Sequence, residues 1–338
     1  MSKRSRVRNA LGLTAVVAML SLVPVPFAQS SGPATPVSAY TTMEGVIDSR
    51  GENRYLAVTS DDRTLVMKVA MGSGQPQTLR WVAGSWSVPA VTLYLNTDTS
   101  GIAADGSRLV LIDPSTGWPQ GSTDLVVLDG RSLKVERRIR LDGAFSFDAI
   151  SPDGSTAFLV EYTDPRDPTD YRLRVLDLDT AELEPGSLKP ENNPDEEMRG
   201  SPTSRATSQD GRWAFTLYDG GRIYGFGSGK PGKPFVHAID TVSRRTLCID
   251  LDWDIDNRVL SKLQLRTSAD GASVEVAVPG EEPLGRIDVA TGEAIAASGE
   301  PAESSTAAED SSLWPGLGIA AAAAAALGGV AVLRRRRA

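Results

Sequence analysis

One histidine and one cysteine occur in the 338 residues, and both fall in VHAIDTVSRRTLCIDLDWDIDN, residues 236–257. The same stretch sets Asp250, Asp252, Asp254 and Asp256 at every second position. A thiol beside an imidazole is the nucleophile–base pair of cysteine catalysis, and a row of carboxylates suits a hard cation such as calcium. One histidine and one cysteine cannot build a zinc site. An EF-hand loop counted from Asp252 needs glycine and glutamate where Asn257 and Leu263 stand. No GxSxG, Walker loop or strand-borne GxGxxG is present, and the glycine-rich Gly225–Lys233 lacks P-loop spacing. The reading that remains is structural. Ile249, Leu251, Trp253 and Ile255 alternate with the four aspartates, which predicts an amphipathic strand with a wet acidic face. Like charges on that face leave room for a loose calcium site; no other cofactor is indicated.

The elements that position these residues come from a repeat. AADGSRLVLID, SPDGSTAFLVEY, SQDGRWAFTLY and SADGASVEVAV share one form, a polar or small residue, Asp-Gly, then an apolar run. Their turns are Asp105-Gly106, Asp153-Gly154, Asp210-Gly211 and Asp270-Gly271. Asp-Gly supplies the positive φ of a tight turn. A second hairpin follows each, with a strand-ending Asp129, Asp177, Asp240 or Asp288. Each unit is therefore a four-stranded meander, and repetition at about 50 residues predicts an all-β propeller of four-stranded antiparallel blades. A degenerate copy begins at Arg50, with Gly51-Glu52-Asn53 replacing Asp-Gly. The count is five blades, or six if Ala83–Thr99 adds strands. Two smaller β-sandwiches are the competing architecture. In the fourth regular unit, 235–240 pairs with 245–251, so His237 faces Cys248 in an outer hairpin, as a half-buried packing pair.

The repeats resemble the YVTN/TolB-like, WD40-like propeller repeats, whose recurring text is SPDG, a strand, and an IDTxTG hairpin; the resemblance covers roughly residues 45–298. FSFDAISPDG, RATSQDGRWAFTLYDGG and PFVHAIDT are similar more narrowly to an exported actinobacterial group of such propellers. This implies a fold and a location, and no chemistry.

In such blades the 1–2 and 3–4 turns leave one face, and the 2–3 loops and blade connections leave the other. The long segments 113–124, 162–170, 189–204 and 219–234 all belong to the second face. Loops on a rigid scaffold are where binding residues gather, and aromatic and arginine side chains are favoured anchors. The candidate binding residues are Trp118, Tyr162, Asp164, Arg166, Arg199, Tyr218, Asp219, Arg222, Tyr224 and Phe226. The expected role is binding or scaffolding of an extracytoplasmic protein, peptide or glycan. The alternative is a lactonase- or glycosidase-like hydrolase with carboxylates and a divalent cation in the central channel.

The ends predict where this work is done. Basic residues in MSKRSRVR, then an apolar run and small residues, read as a signal peptide over 1–30, with cleavage somewhere in 28–39; an uncleaved anchor is the alternative. Residues 40–297 form the ectodomain, and the small, polar, acidic 298–312 is a flexible stalk. Leu313–Leu333 carries no charge and precedes RRRRA. It reads as one transmembrane helix, with 334–338 as a cytoplasmic basic tail; a processed sorting tail is the other option. A formal net charge of −8 argues against nucleic acid as a partner. A single cysteine excludes an intrachain disulfide.

Overall fold

The computed structural model describes residues 45–93, 96–114, 120–164, 167–194, 200–223, 232–268 and 271–297. Blade one is the antiparallel meander β1 (Val46–Ile47), β2 (Asn53–Ser60), β3 (Arg63–Ala70) and β4 (Pro76–Ala83). A separate two-stranded hairpin follows, β5 (Ala90–Leu93) and β6 (Asn96–Thr99). Blade two holds β7 (Arg108–Ile112), β8 (Ser122–Asp129) and β9 (Val135–Asp142), its innermost strand reduced to a bridge between Ile102 and Leu109. Blade three holds β10 (Ala144–Ile150), β11 (Thr156–Asp164) and β12 (Asp167–Asp177), its outermost strand reduced to bridges at Leu183 and Leu188. Blade four is β13 (Pro202–Thr207), β14 (Trp213–Tyr218), β15 (Phe235–Asp240) and β16 (Arg245–Asp250). Blade five is β17 (Gln264–Thr267), β18 (Ser273–Ala277), β19 (Gly285–Asp288) and β20 (Ala294–Ala296). The fold is a five-bladed β-propeller. Residues 83–99 do not make a sixth blade, because their hairpin turns inward instead.

Two turns recur in all five blades. Between strands one and two, Gly51, Gly106, Gly154, Gly211 and Gly271 adopt φ of +69° to +72°. Each donates its N–H to the carbonyl three residues back, at 2.8–2.9 Å. In three of them the turn aspartate accepts the amide two residues on: Asp105 from Ser107, Asp153 from Ser155, Asp210 from Arg212. Asp270 lies outside the described residues. In blade one Asp48 takes this part, accepting from Glu52 and Asn53. Between strands three and four, the left-handed position falls on Gly74, Leu133, Ala181, Arg244 and Gly292, each bonded to the carbonyl four residues back.

The core is divided between neighbouring blades. One apolar cluster joins blades one and two through Tyr55, Val66, Leu109 and Leu128. Others join two and three through Val127, Phe147 and Leu159, three and four through Phe158, Val175 and Ile239, and four and five through Phe215, Val236 and Val276. The faces that blades one and five turn away from these clusters differ. Blade one shows Leu79 and Trp81, 43% and 48% exposed, with the Arg63 guanidinium 4.3 Å from the Trp81 ring centre. Blade five shows the exposed Arg266 and Arg286. Among the described residues no hydrogen bond or ion pair joins these two blades.

The 3–4 hairpins generate a stability prediction. A left-handed non-glycine residue costs on the order of 1–3 kcal/mol, partly offset by glycine's greater freedom in the unfolded chain. Ala181→Gly should therefore stabilise by about 0.5–1 kcal/mol, a rise in Tm of about 2–3 °C. Leu133 has the same backbone but a fully buried side chain, so Leu133→Gly should lower Tm. Thermal melts of the two variants check both signs.

Candidate functional site

The innermost strands carry one edge with no strand beside it, and the structure shows how part of that edge is met. Asp98, at the end of the β5–β6 hairpin, accepts from the Ser204 hydroxyl at 2.8 Å and from the Arg205 amide at 2.7 Å. The Ser204 oxygen in turn accepts the Leu265 amide at 3.0 Å. Burial raises the Asp98 pKa, and these two donors partly offset it. Thr99 Oγ1 reaches the Gly45 carbonyl at 2.8 Å, and both hairpin strands lie along β13. The hairpin therefore crosses the axis between blades one and four.

Beyond it, on the side of the Asp-Gly turns, a cavity of about 350 Å³ remains, lined from all five blades. Its walls are Val46, Ile47, Ile102 and Ile150 among hydroxyl and carboxamide side chains such as Ser49, Thr207, Gln209 and Thr267. The axial carboxylate Asp98 is committed to β13 through Ser204 and Arg205. Among the described residues no group of three or more His, Cys, Asp or Glu is placed to hold a metal ion.

On the opposite face leave the 2–3 loops and the blade connections. Of the sequence-derived candidates there, Trp118, Arg166, Arg199, Tyr224 and Phe226 lie outside the described residues. Tyr218 is a correction. It is 1% exposed, stacked between Tyr171 and Phe235 at centroid distances of 5.4 and 5.0 Å. The alternation along β14 points it, with Ala214 and Thr216, into blade three. Tyr162 extends the same ladder edge-on to Tyr171, its hydroxyl 3.1 Å from that of Ser146, and burial pushes its phenol pKa up.

Asp219 is a second correction, fully buried. One carboxylate oxygen accepts the Ser201 and Gly221 amides at 2.6 and 2.8 Å, and the other accepts Ile223 at 3.0 Å. It fastens the base of the loop and is closed to a ligand. Arg222 is half-buried and donates to the Ile255 carbonyl at 2.7 Å, tying this loop to the next blade connection. Asp164 is half-buried at the end of β11. Asn192, which sequence reasoning passed over, brackets Cys248 by accepting its amide and donating to its carbonyl. It mimics a strand along the outer edge of β16.

The histidine and cysteine do face each other across β15 and β16, but the pair is buried rather than half-buried, at 1% and 7%. Cys248 packs in the core between blades three and four. His237 looks towards Asp148, which pairs with Arg205 at 2.7 Å and accepts from Thr216 at 3.0 Å. Both imidazole nitrogens, Asp148 Oδ2 and Arg205 Nη1 have no hydrogen-bond partner among the described residues. Enclosed this way, the dyad has no approach for a substrate.

The acidic run also departs from its predicted strand. The paired strand ends at Asp250, with one further bond from the Leu251 amide to the Pro234 carbonyl, and Asp256 caps a short helix α1 (Asn257–Leu260) through the Arg258 amide. Leu251 and Ile255 are still buried while Asp252 and Asp254 are exposed, so the alternation survives without the ladder. Asp252 is spent on an ion pair with Lys233.

His237 gives this cluster a pH signature. Burial lowers its pKa to about 4, against partial help from Asp148, so the unfolded chain takes up the proton first as pH falls. Stability is then complete above about pH 6.5 and falls by about 3 kcal/mol on acidification to pH 4. Hydrogen-bonded carboxylates act in a lower window. Burial alone would raise Asp240, yet Arg212 and the Ser243 and Val242 amides hold it at about 2. Urea melts across pH 4–7 should show the His237 slope, and His237→Phe should flatten it.

No protein family matches the chain, and no curated protein is similar to it. The chain is distantly similar to several solved structures. A functionally unknown protein from Desulfotomaculum acetoxidans is 13% identical, with a TM-score of 0.45 over 75% of this chain and 68% of that one. A protein described as a putative TolB from Agrobacterium tumefaciens is 15% identical, with a TM-score of 0.40 over 75% and 79%. The Swd1 β-propeller domain from Myceliophteria thermophila is 14% identical, with a TM-score of 0.41 over 72% of this chain and 64%, under two thirds, of that one.

Proposed function

We propose that this propeller is an extracytoplasmic binding or scaffolding module, tethered to a membrane by Leu313–Leu333, that engages a protein, peptide or glycan with its long-loop face. The observation that carries the reading is the asymmetry of the two faces. One has the same short turns repeated in every blade; the other has every blade connection and the long segments 113–121, 189–201 and 219–234, while 162–170 is taken up by β11 and β12. The bases of these loops are fixed by hydrogen bonds. Asp219 gathers three amides, Arg222 reaches Ile255, and Asn192 clamps β16. Loops held at their bases lose less entropy on binding, which is what makes a loop surface an effective receptor.

A photo-crosslinking amino acid at 118, 166 or 224 in the full-length protein, in its own cell envelope, should give discrete adducts. The same group at 105 or 153, on the turn face, should give none. Equal yields from both faces would remove the assignment.

The location rests on the two ends of the sequence. Residues 1–44 and 298–338 lie outside the described residues, and no described helix is long and apolar enough to cross a membrane. The expected outcome is that the full-length protein sediments with membranes and resists alkaline carbonate. A chain stopped before Leu313 should appear in the medium, with a mature N-terminus that places cleavage within 28–39.

A further inference from the structure

We propose that the axial cavity on the turn face is a second binding site, for an uncharged, hydroxyl-rich small molecule of about the size of a hexose. It lies on the face opposite the long loops and does not depend on their role. Three features converge on it. The first is that the well is blind. The β5–β6 hairpin closes the channel beneath it, and Thr99 and Ser100, where the hairpin ends, form part of its lining. Its volume of about 350 Å³ sits at the small end of the roughly 300–1,000 Å³ of ligand pockets.

The second feature is unspent hydrogen-bonding capacity. The side chains of Ser100, Thr207 and Gln209 make no hydrogen bond among the described residues, and all three line the cavity. Thr207 and Gln209 are exposed at its mouth. Deeper in the same channel, the inner-strand amides of Arg205 and Leu265 are met by side-chain oxygens. That shows the kind of group these strands accept: a hydroxyl or carboxylate oxygen set against the strand edge.

The third feature is charge. No lining residue is ionised, while the turn aspartates stand around the mouth. Asp210 lies between the lining residues Gln209 and Gly211, and Asp105 follows Ala104. The serine hydroxyl before each turn, with the amide after it, holds Asp153 and Asp210 below the usual carboxylate range, so the rim stays anionic. A phosphate or carboxylate would meet like charge there, an effect strongest at low ionic strength. The wall offers no aromatic ring to stack on. It offers hydroxyls, a carboxamide and short aliphatic side chains, which suit a compact molecule with hydroxyl edges and C–H faces.

The test uses the full-length protein with glucose, galactose, mannose and myo-inositol as probes, and glucose 6-phosphate and gluconate as anionic counterparts. Saturation-transfer NMR and titration calorimetry should detect at least one neutral probe, with a Kd on the order of 1 mM or tighter. The anionic counterparts should bind at least about tenfold more weakly, the effect of a modest charge penalty. Thr207→Trp should fill the mouth and abolish binding. Thr207→Val, a change too small to disturb an exposed strand end, should weaken it by several-fold, which keeps the test alive if the larger variant fails to fold. The proposal is overturned if no neutral probe binds, if an anionic probe binds more tightly, or if folded Thr207→Trp binds as well as the parent. Loss of crosslinking from the long loops would leave these results unchanged, so the two readings fail separately.

Discussion

A propeller brings the free edges of its innermost strands together at one axis, and an amide left there without an acceptor costs about 1–3 kcal/mol. Here that edge is answered by side chains. Asp98 takes the Arg205 amide, and Ser204, which donates to Asp98, takes the Leu265 amide. Three elements distant in sequence are fixed by one short chain of hydrogen bonds, and the hairpin that carries Asp98 is drawn across the axis as a result. The rest of the molecule follows from that plug. It turns a through-channel into a well open on the turn side, and it separates that well from the loop face.

The blades themselves are joined in chain order. Each of the four apolar clusters links neighbours in sequence, so each interface closes over a short stretch of chain and incurs little loop-closure entropy. The remaining pair, blades one and five, holds the residues farthest apart. One presents Leu79 and Trp81 and the other Arg266 and Arg286, and among the described residues no apolar cluster spans them. Between blades three and four the core admits a buried ion pair, Asp148–Arg205, beside a neutral imidazole. Desolvation makes such pairs poor sources of stability. Here the pair joins a strand of blade three to the innermost strand of blade four, the strand on which the hairpin rests.

Much of the fold was legible because the signals are local. Asp-Gly turns and strand-ending aspartates report their own neighbourhood, and among the described residues both recur where expected. The Asp240 register placed His237 opposite Cys248 correctly. What stayed hidden is set by contacts between distant segments. Ala83–Thr99 left room for extra strands, but nothing in it shows that Asp98 will meet Ser204. The alternation after Cys248 gave the buried face of Leu251 and Ile255 but could not show that the ladder ends at Asp250, because a strand needs a partner and α1 takes the chain away. Gly51 was read as the degenerate turn, while Asp48, three residues earlier, was missed because its role is a hydrogen bond and not a motif.

The corrected site residues share a cause. Tyr218 and Asp219 stand where a strand becomes a loop, and there composition is ambiguous. An aromatic or acidic side chain at that point can face a ligand or turn back to hold the chain. The deciding quantity is how many backbone groups the loop leaves unsatisfied at its base. At 219–223 the amides of Gly221 and Ile223, together with that of Ser201 from the incoming connection, need an acceptor. Only a buried carboxylate meets all three. Tyr218 seals the same point from the apolar side against Tyr171 and Phe235. A loop anchored this firmly leaves its recognition chemistry to residues beyond the anchor, and the buried pair is the condition for that surface to hold a shape.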